Sequence, residues 1–462
     1  MKNKKPSSKK KRYLNLILVA ILIVAFFGIP VLIMNYHAKR TGLTISEVLK
    51  RNVGSLMSGR TGTESFGEVP VGEKIDFLEP VHIGFEFTEP PMISHIQPVD
   101  LDNDGLLDLI VCDVRNNFVS WIRQYPEGTF TEIILAEDII APAHVQVIDF
   151  NNNGNLDLIV AVLGMLFPNN DRIGSVVILE NDGNFNFTKH VVVDKIARVS
   201  DVRAGDLNNN GLMDLAVAQF GYDDGETRWI ENLGNWEFKS HMLQFLSGPI
   251  NVELVDINDS GSLDIISLVS QEWEEIYCFV NDGEGNFQPH LIWGSSNEDF
   301  GSSGIALYDV NQNGKMDILY SNGDAFDYIP PQGRPWHGVQ WLENKGDLNF
   351  EYHRLTNFTG ATNVRAADFN NNGHIDLIAV SAFNIWDDPE SMSFIWLEND
   401  GNMNFTRREI ARKPTHLLVC EPADFNNNGL MDVVTGAMHL YPPYDNMSRI
   451  TLWINNGKLL EK

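Results

Sequence analysis

One nine-residue turn occurs seven times in this chain, and it restricts the possible folds more than any other feature. Its first copy is Asp100-Leu-Asp-Asn-Asp-Gly-Leu-Leu-Asp108, followed by the apolar run Leu109-Ile110-Val111. The copies start at Asp100, Asp149, Asp206, Asp256, Asp309, Asp368 and Asp424, 49 to 59 residues apart. Each ends on aspartate: Asp108, Asp157, Asp214, Asp264, Asp317, Asp376 and Asp432. Each keeps a central glycine, as at Gly105, where a tight turn needs a positive φ. A unit that recurs at this period builds an array, a solenoid or a propeller.

The same turn has the donor pattern of a hard cation site. Its third positions are Asp102, Asn151, Asn208, Asn258, Asn311, Asn370 and Asn426; its fifth are Asp104, Asn153, Asn210, Ser260, Asn313, Asn372 and Asn428. Calcium takes six to eight oxygens at about 2.3–2.6 Å, and alternate residues of a tight turn can aim oxygens at one point. Loop 1 offers four carboxylates and the others two each, so carboxylate count makes loop 1 the tightest of several Ca2+ sites. The Asn-rich loops would then be weak sites suited to calcium outside the cytoplasm. An Asn-rich loop can also fold empty, its side chains closing Asx turns on their own backbone. In either case the loops pin strands and offer no open position at which a water could be activated.

The segment between one loop and the next reads as a blade. A β-rich run such as Leu158-Ile-Val-Ala-Val162 leads through a variable loop to a second pattern, Trp229-Ile-Glu-Asn232, Trp341-Leu-Glu-Asn344, Trp396-Leu-Glu-Asn399 or Trp453-Ile-Asn-Asn456. A glycine turn then precedes Phe187, Phe238, Phe287, Phe350 or Phe405 and a last alternating strand. Four short strands per unit make a propeller blade. The seventh unit lacks a clear fourth strand, and His82-Ile-Gly-Phe-Glu-Phe87 lies upstream where one is needed to close the ring. The expected fold is all-β, a seven-bladed β-propeller over 77–462.

Asp-x-Asp/Asn-x-Asp/Asn-Gly-x-x-Asp followed by an apolar strand, seven times over, resembles the FG-GAP/VCBS repeat family, whose blades also form the calcium-binding propeller of integrin α subunits. The resemblance spans roughly 77–462. It implies calcium and a propeller, while the fold hosts adhesins, lectin-like proteins and a few sugar lyases or dehydratases. It also implies a bacterial protein, since the chain reads as tethered and exported.

The N-terminus reads as a membrane anchor. Residues 1–12 form a basic cytoplasmic head, and Tyr13–Met34 is an apolar run long enough, at about 1.5 Å per residue, for a transmembrane signal-anchor helix. The exit after Met34 lacks a small-x-small cleavage pattern, and the excess of Lys/Arg before the run predicts a single-pass protein with the propeller on the periplasmic or cell-surface side. Residues 35–76 read as a juxtamembrane linker in which Ser46 opens a short helix. The formal charge is −28 despite that basic head, so the body repels nucleic acid and anionic lipid. Cys112, Cys278 and Cys420 fall in apolar runs of three different repeats and are expected to be buried, inert thiols.

The strand entering each loop alternates, with polar residues five and three positions before the first aspartate. These are His95 and Gln97, His144 and Gln146, Asp201 and Arg203, Asn251 and Glu253, Asn363 and Arg365, and Glu421 alone in the seventh unit. An innermost strand would turn them into a central channel, at the end away from the Asp loops. The variable loops should emerge at that end and are rich in rings and acids, as in Phe220-Gly-Tyr-Asp-Asp224, Glu272-Trp-Glu-Glu275, Trp386-Asp-Asp388 and Tyr441-Pro-Pro-Tyr444. Such loops suit a glycan or a surface protein, which makes an adhesion or binding module the expected function. No spacing joins a catalytic acid to a base, so no catalytic residue is assigned and an enzyme is the lesser expectation. A carbohydrate-active lyase or dehydratase at the channel mouth and a structural envelope protein are the alternatives. Convergence of the channel His, Arg and Glu side chains would favour the enzyme.

Overall fold

The computed structural model describes residues 29–50 and 69–461, apart from 272–273, 296, 298, 327, 329–330 and 332. It falls into two units, 1–60 and 61–462. The basic head, most of the expected anchor and the Gly/Ser-rich part of the linker lie outside the described residues. In the first unit a helix spans Ile29–Thr41 and so runs past Met34. It stops at Gly42, whose φ of +75° and N–H bond to Ala38 O (2.9 Å) form a left-handed cap. A second helical turn begins after Thr44, not Ser46. Thr44 N donates to Glu47 Oε2 (2.7 Å) and Glu47 N to Thr44 Oγ1 (3.3 Å), the reciprocal bonds of a capping box. Among the described residues no helix is long and apolar enough to cross a membrane.

In the second unit the described strands form seven four-stranded antiparallel sheets. Six sheets take their strands from inside to outside in chain order. The seventh takes Leu417–Ala423, Asp432–Ala437 and Ile450–Asn455 from the C-terminal end and its outer strand, Leu78–Ile83, from the other. Leu78 pairs with Asn455 and Ile83 with Ile450. The expected closure is therefore present, but its strand lies four residues before His82–Phe87. The first strands touch those of neighbouring blades all the way round, and that of blade 1 meets that of blade 7. The strand after each Asp loop is the fully buried one; Asp157–Val162 is buried at all six positions. Such a strand is apolar on both faces because a neighbouring blade covers each face.

The core accordingly sits between blades. Ile110, Cys112 and Trp121 of blade 1 pack on Val145, Leu158 and Val177 of blade 2, and Ile83, Val434 and Leu452 pack across the closure on Ile93 and Ile96. All three cysteines are buried and free, and burial pushes their thiols up, which makes them inert as expected. Each first strand also carries a bulge, which places Ser94, Ala143, Ser200, Ile250, Ser303, Thr362 and Leu418 out of register with the second strand. The bulged hydroxyls reach the next blade: Ser94 Oγ donates to Pro142 O (2.5 Å) and Ser200 Oγ to Pro249 O (2.9 Å).

Candidate functional site

The seven Asp loops share one geometry. In loop 1, Asp104 N and Gly105 N donate to the two carboxylate oxygens of Asp100 (3.1 and 3.0 Å), and Leu106 N donates to Asp104 Oδ1 (3.0 Å). Loop 6 repeats this with Asp368, Asn372 and Gly373, and loop 7 with Asp424, Asn428 and Gly429. In the Asn loops the third residue accepts from the fifth, as Asn208 Oδ1 does from Asn210 N (3.2 Å). These are Asx turns, and they hold the loop in shape by themselves. The fourth residue also takes a left-handed φ, 54° to 58° at Asn103, Asn152, Asn209, Asp259, Gln312, Asn371 and Asn427.

The ninth aspartate ties each loop to its blade. Asp108 is fully buried; its Oδ1 accepts from Gln124 N (2.8 Å) and its Oδ2 from Leu101 N (3.2 Å). Burial pushes the carboxyl up to about 6 at Asp108, Asp264 and Asp432 and to about 7 at Asp376, against the pull of those N–H groups. The residue that caps the third strand then reaches the preceding blade: Asn281 Nδ2 donates to Leu207 O (2.7 Å) and Gln124 Nε2 to Phe425 O (3.1 Å).

The donor sets fit a divalent cation unequally. Asp100, Asp102 and Asp108 place one carboxylate oxygen each within 4.8 Å of one another. Asp102 Oδ1 and Asn258 Oδ1, both at third positions, are buried without a hydrogen-bond partner. Loop 1 also has a resident cation that carboxylate counting does not see. Arg123 Nε and Nη2 both lie 2.6 Å from Asp102 Oδ2, and Nη2 lies 3.7 Å from Asp104 Oδ2.

Most of the residues five and three places before the loops line the channel, but they do not share one end of it, and Asp201 is fully buried and lines neither chamber. His95, Arg203 and Arg365 divide it. On the Asp-loop side a chamber of about 670 Å3 is lined by Gln97, Gln146, Glu253, Tyr308 and Glu421. On the variable-loop side a chamber of about 200 Å3 is lined by His144, Asn251, Asn363 and the bulged serines. The expectation that all of them sit away from the Asp loops is corrected accordingly, because successive inward side chains climb the strand.

Those side chains converge. Arg365 binds Glu421 (2.7 Å), Arg203 Nη2 binds Glu253 Oε1 (2.9 Å), and His144 Nδ1 lies 3.1 Å from Asp201 Oδ1. The His95 and His144 rings are 4.0 Å apart. Burial, with nearby Arg203, holds both histidines well below their usual range, and burial pushes Glu253 up. Much of the convergence stitches blades together. Gln97 Oε1 accepts from Val147 N (3.0 Å), Gln146 Oε1 from Ala204 N (2.7 Å) and Asp201 Oδ2 from Val252 N (3.1 Å).

The variable loops do gather at the channel's other end, and most of their aromatic residues pack locally. The Phe220 ring takes the Arg198 guanidinium at 4.7 Å and Tyr328 that of Arg334 at 3.7 Å, while Asp223 clasps Asn170 of the neighbouring loop. Glu272 and Trp273 lie outside the described residues. Blades 6 and 7 differ: their loops leave a pocket of about 530 Å3 walled by Phe383, Trp386, Asp387, His416, Tyr441 and Pro442. His416 holds a left-handed φ of 58°, and burial takes its imidazole down to about 3.

Two stretches of the chain, 100–160 and 256–320, match the FG-GAP-like repeat family. The chain is a seven-bladed propeller that carries FG-GAP-like repeats. No curated protein matches it. Solved structures of BBS1N in complex with ARL6DN, soaked with lead or with mercury, are similar to it at TM-scores of 0.49 and 0.47 and 8% identity. They cover 83% and 84% of this chain, and it covers 96% and 99% of those chains.

The site holds two sets of residues beyond those expected from the sequence. The bulged hydroxyls were legible as Ser94, Ser200 and Ser303, one place before the inward residues. Arg123 was legible where the Trp-x-Glu-Asn pattern has glutamate.

Proposed function

We propose that this FG-GAP propeller is a binding module, stiffened by calcium in its Asp loops, that takes a glycan on its variable-loop face. The observation that carries this reading is the pocket between blades 6 and 7. Its volume of about 530 Å3 is that of a small-molecule site, and Trp386 and Tyr441 supply aromatic faces with Asp387 and His416 beside them. A sugar ring stacks on such faces while its hydroxyls bond to neighbouring polar groups. Calcium is supported by the donor chemistry of the loops and by the unpartnered Asn258 Oδ1 in loop 4. Where a cation binds, it neutralises carboxylates that burial makes costly to ionise. Tethering rests on the apolar run Tyr13–Met34, which would hold the propeller outside the cytoplasm of a bacterial cell.

A glycan array probed with the full chain in detergent, with and without chelator, tests the reading. Binding that weakens on chelation and disappears in Trp386→Ala supports it. A chain that captures no glycan but retains a surface protein through the same face would replace the glycan with that partner.

A second reading, a carbohydrate-active lyase or dehydratase, is favoured by the convergence of His95, His144, Arg203 and Glu253 at the channel. Release of unsaturated or dehydrated sugar products, lost in His144→Gln, would move the function to that site.

A further inference from the structure

Across the seven blades, the charge of the residue before the third strand's terminal amide varies with the loop it faces. Loop 1 carries aspartate at its third and fifth positions, and its strand carries Arg123. Loops 2, 3, 5 and 6 carry asparagine there, and their strands carry Glu180, Glu231, Glu343 and Glu398. Loops 4 and 7 face Val280 and Ile454. The contacts follow the signs. Asn151 Nδ2 donates to Glu180 Oε1 (2.9 Å) and Asn311 Nδ2 to Glu343 Oε1 (3.1 Å), whereas in loop 1 a guanidinium lies 2.6 Å from Asp102.

Arg123 is held for this position. Its guanidinium lies 4.9 Å from the Tyr125 ring centroid and 5.7 Å from that of Trp121, and its Asp102 partner is only 6% exposed. A planar cation paired with a nearly buried carboxylate is a strong interaction, and a divalent ion in loop 1 would sit against its positive charge. In loops 2 and 5 the strand glutamate adds negative charge within hydrogen-bond reach of the third residue. Glu343 is shared with Lys345 (2.8 Å) and His353 (3.0 Å) of the same blade, so its charge is partly offset there.

We infer that Arg123 is a built-in counter-ion that closes loop 1 to calcium, and that Glu180 and Glu343 make loops 2 and 5 the preferred cation sites. This rests on the calcium reading for loops 2 and 5 and reverses the order that carboxylate number alone gives. Loop 1 keeps its shape without metal because its positive charge is covalently attached.

The test counts calcium sites on the full chain in detergent, by calorimetric titration with CaCl2 and by terbium luminescence. Arg123→Gln is expected to gain one site, Asp104→Asn in the otherwise natural chain to lose none, and Glu343→Gln to weaken one site by about tenfold. Loss of a site in Asp104→Asn, or no gain in an Arg123→Gln chain with an unchanged melting temperature, overturns the inference. Should Arg123→Gln not fold, the Asp104→Asn count decides alone. A natural chain that takes no calcium, beside an Arg123→Gln chain that takes one, removes the calcium reading of the Asn loops and leaves the role of Arg123 standing.

Discussion

Arg449 and Glu132, 317 residues apart in sequence, meet in a bidentate ion pair at the point where the propeller closes. Arg449 Nη1 lies 2.7 Å from Glu132 Oε2 and Nη2 lies 2.8 Å from Oε1, while Nη2 also reaches Asp113 Oδ2 at 3.0 Å. Glu132 further accepts from Phe85 N (2.6 Å) and Ser120 Oγ (2.5 Å), so blade 7, blade 1 and the chain leaving the closing strand share one buried network. Removing one member strands charge that water cannot reach. Arg449→Met is expected to cost about 3–5 kcal/mol in chemical denaturation. Neutralising the partners as well, with Glu132→Met and Asp113→Leu, should recover a large part of that loss. If the triple variant is less stable than the single one, desolvated charge is not the cause.

Acid should loosen the variable-loop end first. His439 is fully buried, its ring 4.9 Å from that of His416, and burial takes it down to about 4 and His416 to about 3. Between those values and the ordinary 6.5 the unfolded chain binds more protons than the folded one, so stability falls as pH falls. The contribution is complete above about pH 6.5 and is lost as pH drops towards 4, amounting to roughly 3 kcal/mol for His439 at 1.36 kcal/mol per unit. Urea denaturation from pH 7 to pH 4 should therefore be less pH-dependent in His439→Gln than in the natural chain. A parallel pair of curves would show that this imidazole titrates normally in the fold.

The closing strand Leu78–Ile83 covers an edge that would otherwise be open. A chain begun at Gly84 leaves the backbone of Ile450–Asn455 unpaired along a strand buried at five of its six positions. Unpaired apolar edges recruit other chains. Size-exclusion chromatography with light scattering should find association and a lower melting temperature. A stable monomer would mean that the first three strands of blade 7 hold the ring without the fourth.

What was legible in the sequence is what the repeat writes at fixed spacing. Asp100 and its six counterparts give the period, and the period gives the blades. The closing strand was misplaced because His82–Phe87 alternates like a strand, yet Gly84 turns at a φ of +81° and Phe85 N is drawn to Glu132. Neither fact is local to the segment. The Arg449 clasp could not be read at all, since nothing in the sequence near Arg449 names Glu132. Arg123 could have been read. Its position in the Trp-x-Glu-Asn alignment reports a change of charge sign, but counting carboxylates within the loop looks along the chain and not across the sheet. The channel residues were placed on the right face and at the wrong height. Alternation fixes which side of a strand a residue occupies, whereas the bulge and the twist decide which chamber it enters.

Two glycines separate the two reasons a repeat protein needs this residue. At Gly105 a Cβ would meet nothing within 4 Å, so only the φ of +87° excludes other residues. Gly105→Ala should therefore cost about 1–2 kcal/mol, the ordinary penalty for a left-handed residue. At Gly323, beside blade 6, no left-handed φ is involved, and a Cβ would overlap the backbone N and O of Ala361. Backbone cannot step aside as a side chain can, so the two blades would have to part. Gly323→Ala should cost more than about 3 kcal/mol, the upper end of ordinary overpacking. Both should be measured by urea denaturation in chelator, so that loop metal does not enter. Equal losses would mean that the contact between blades 5 and 6 yields as easily as an exposed turn, and that the ring is softer than its buried strands imply.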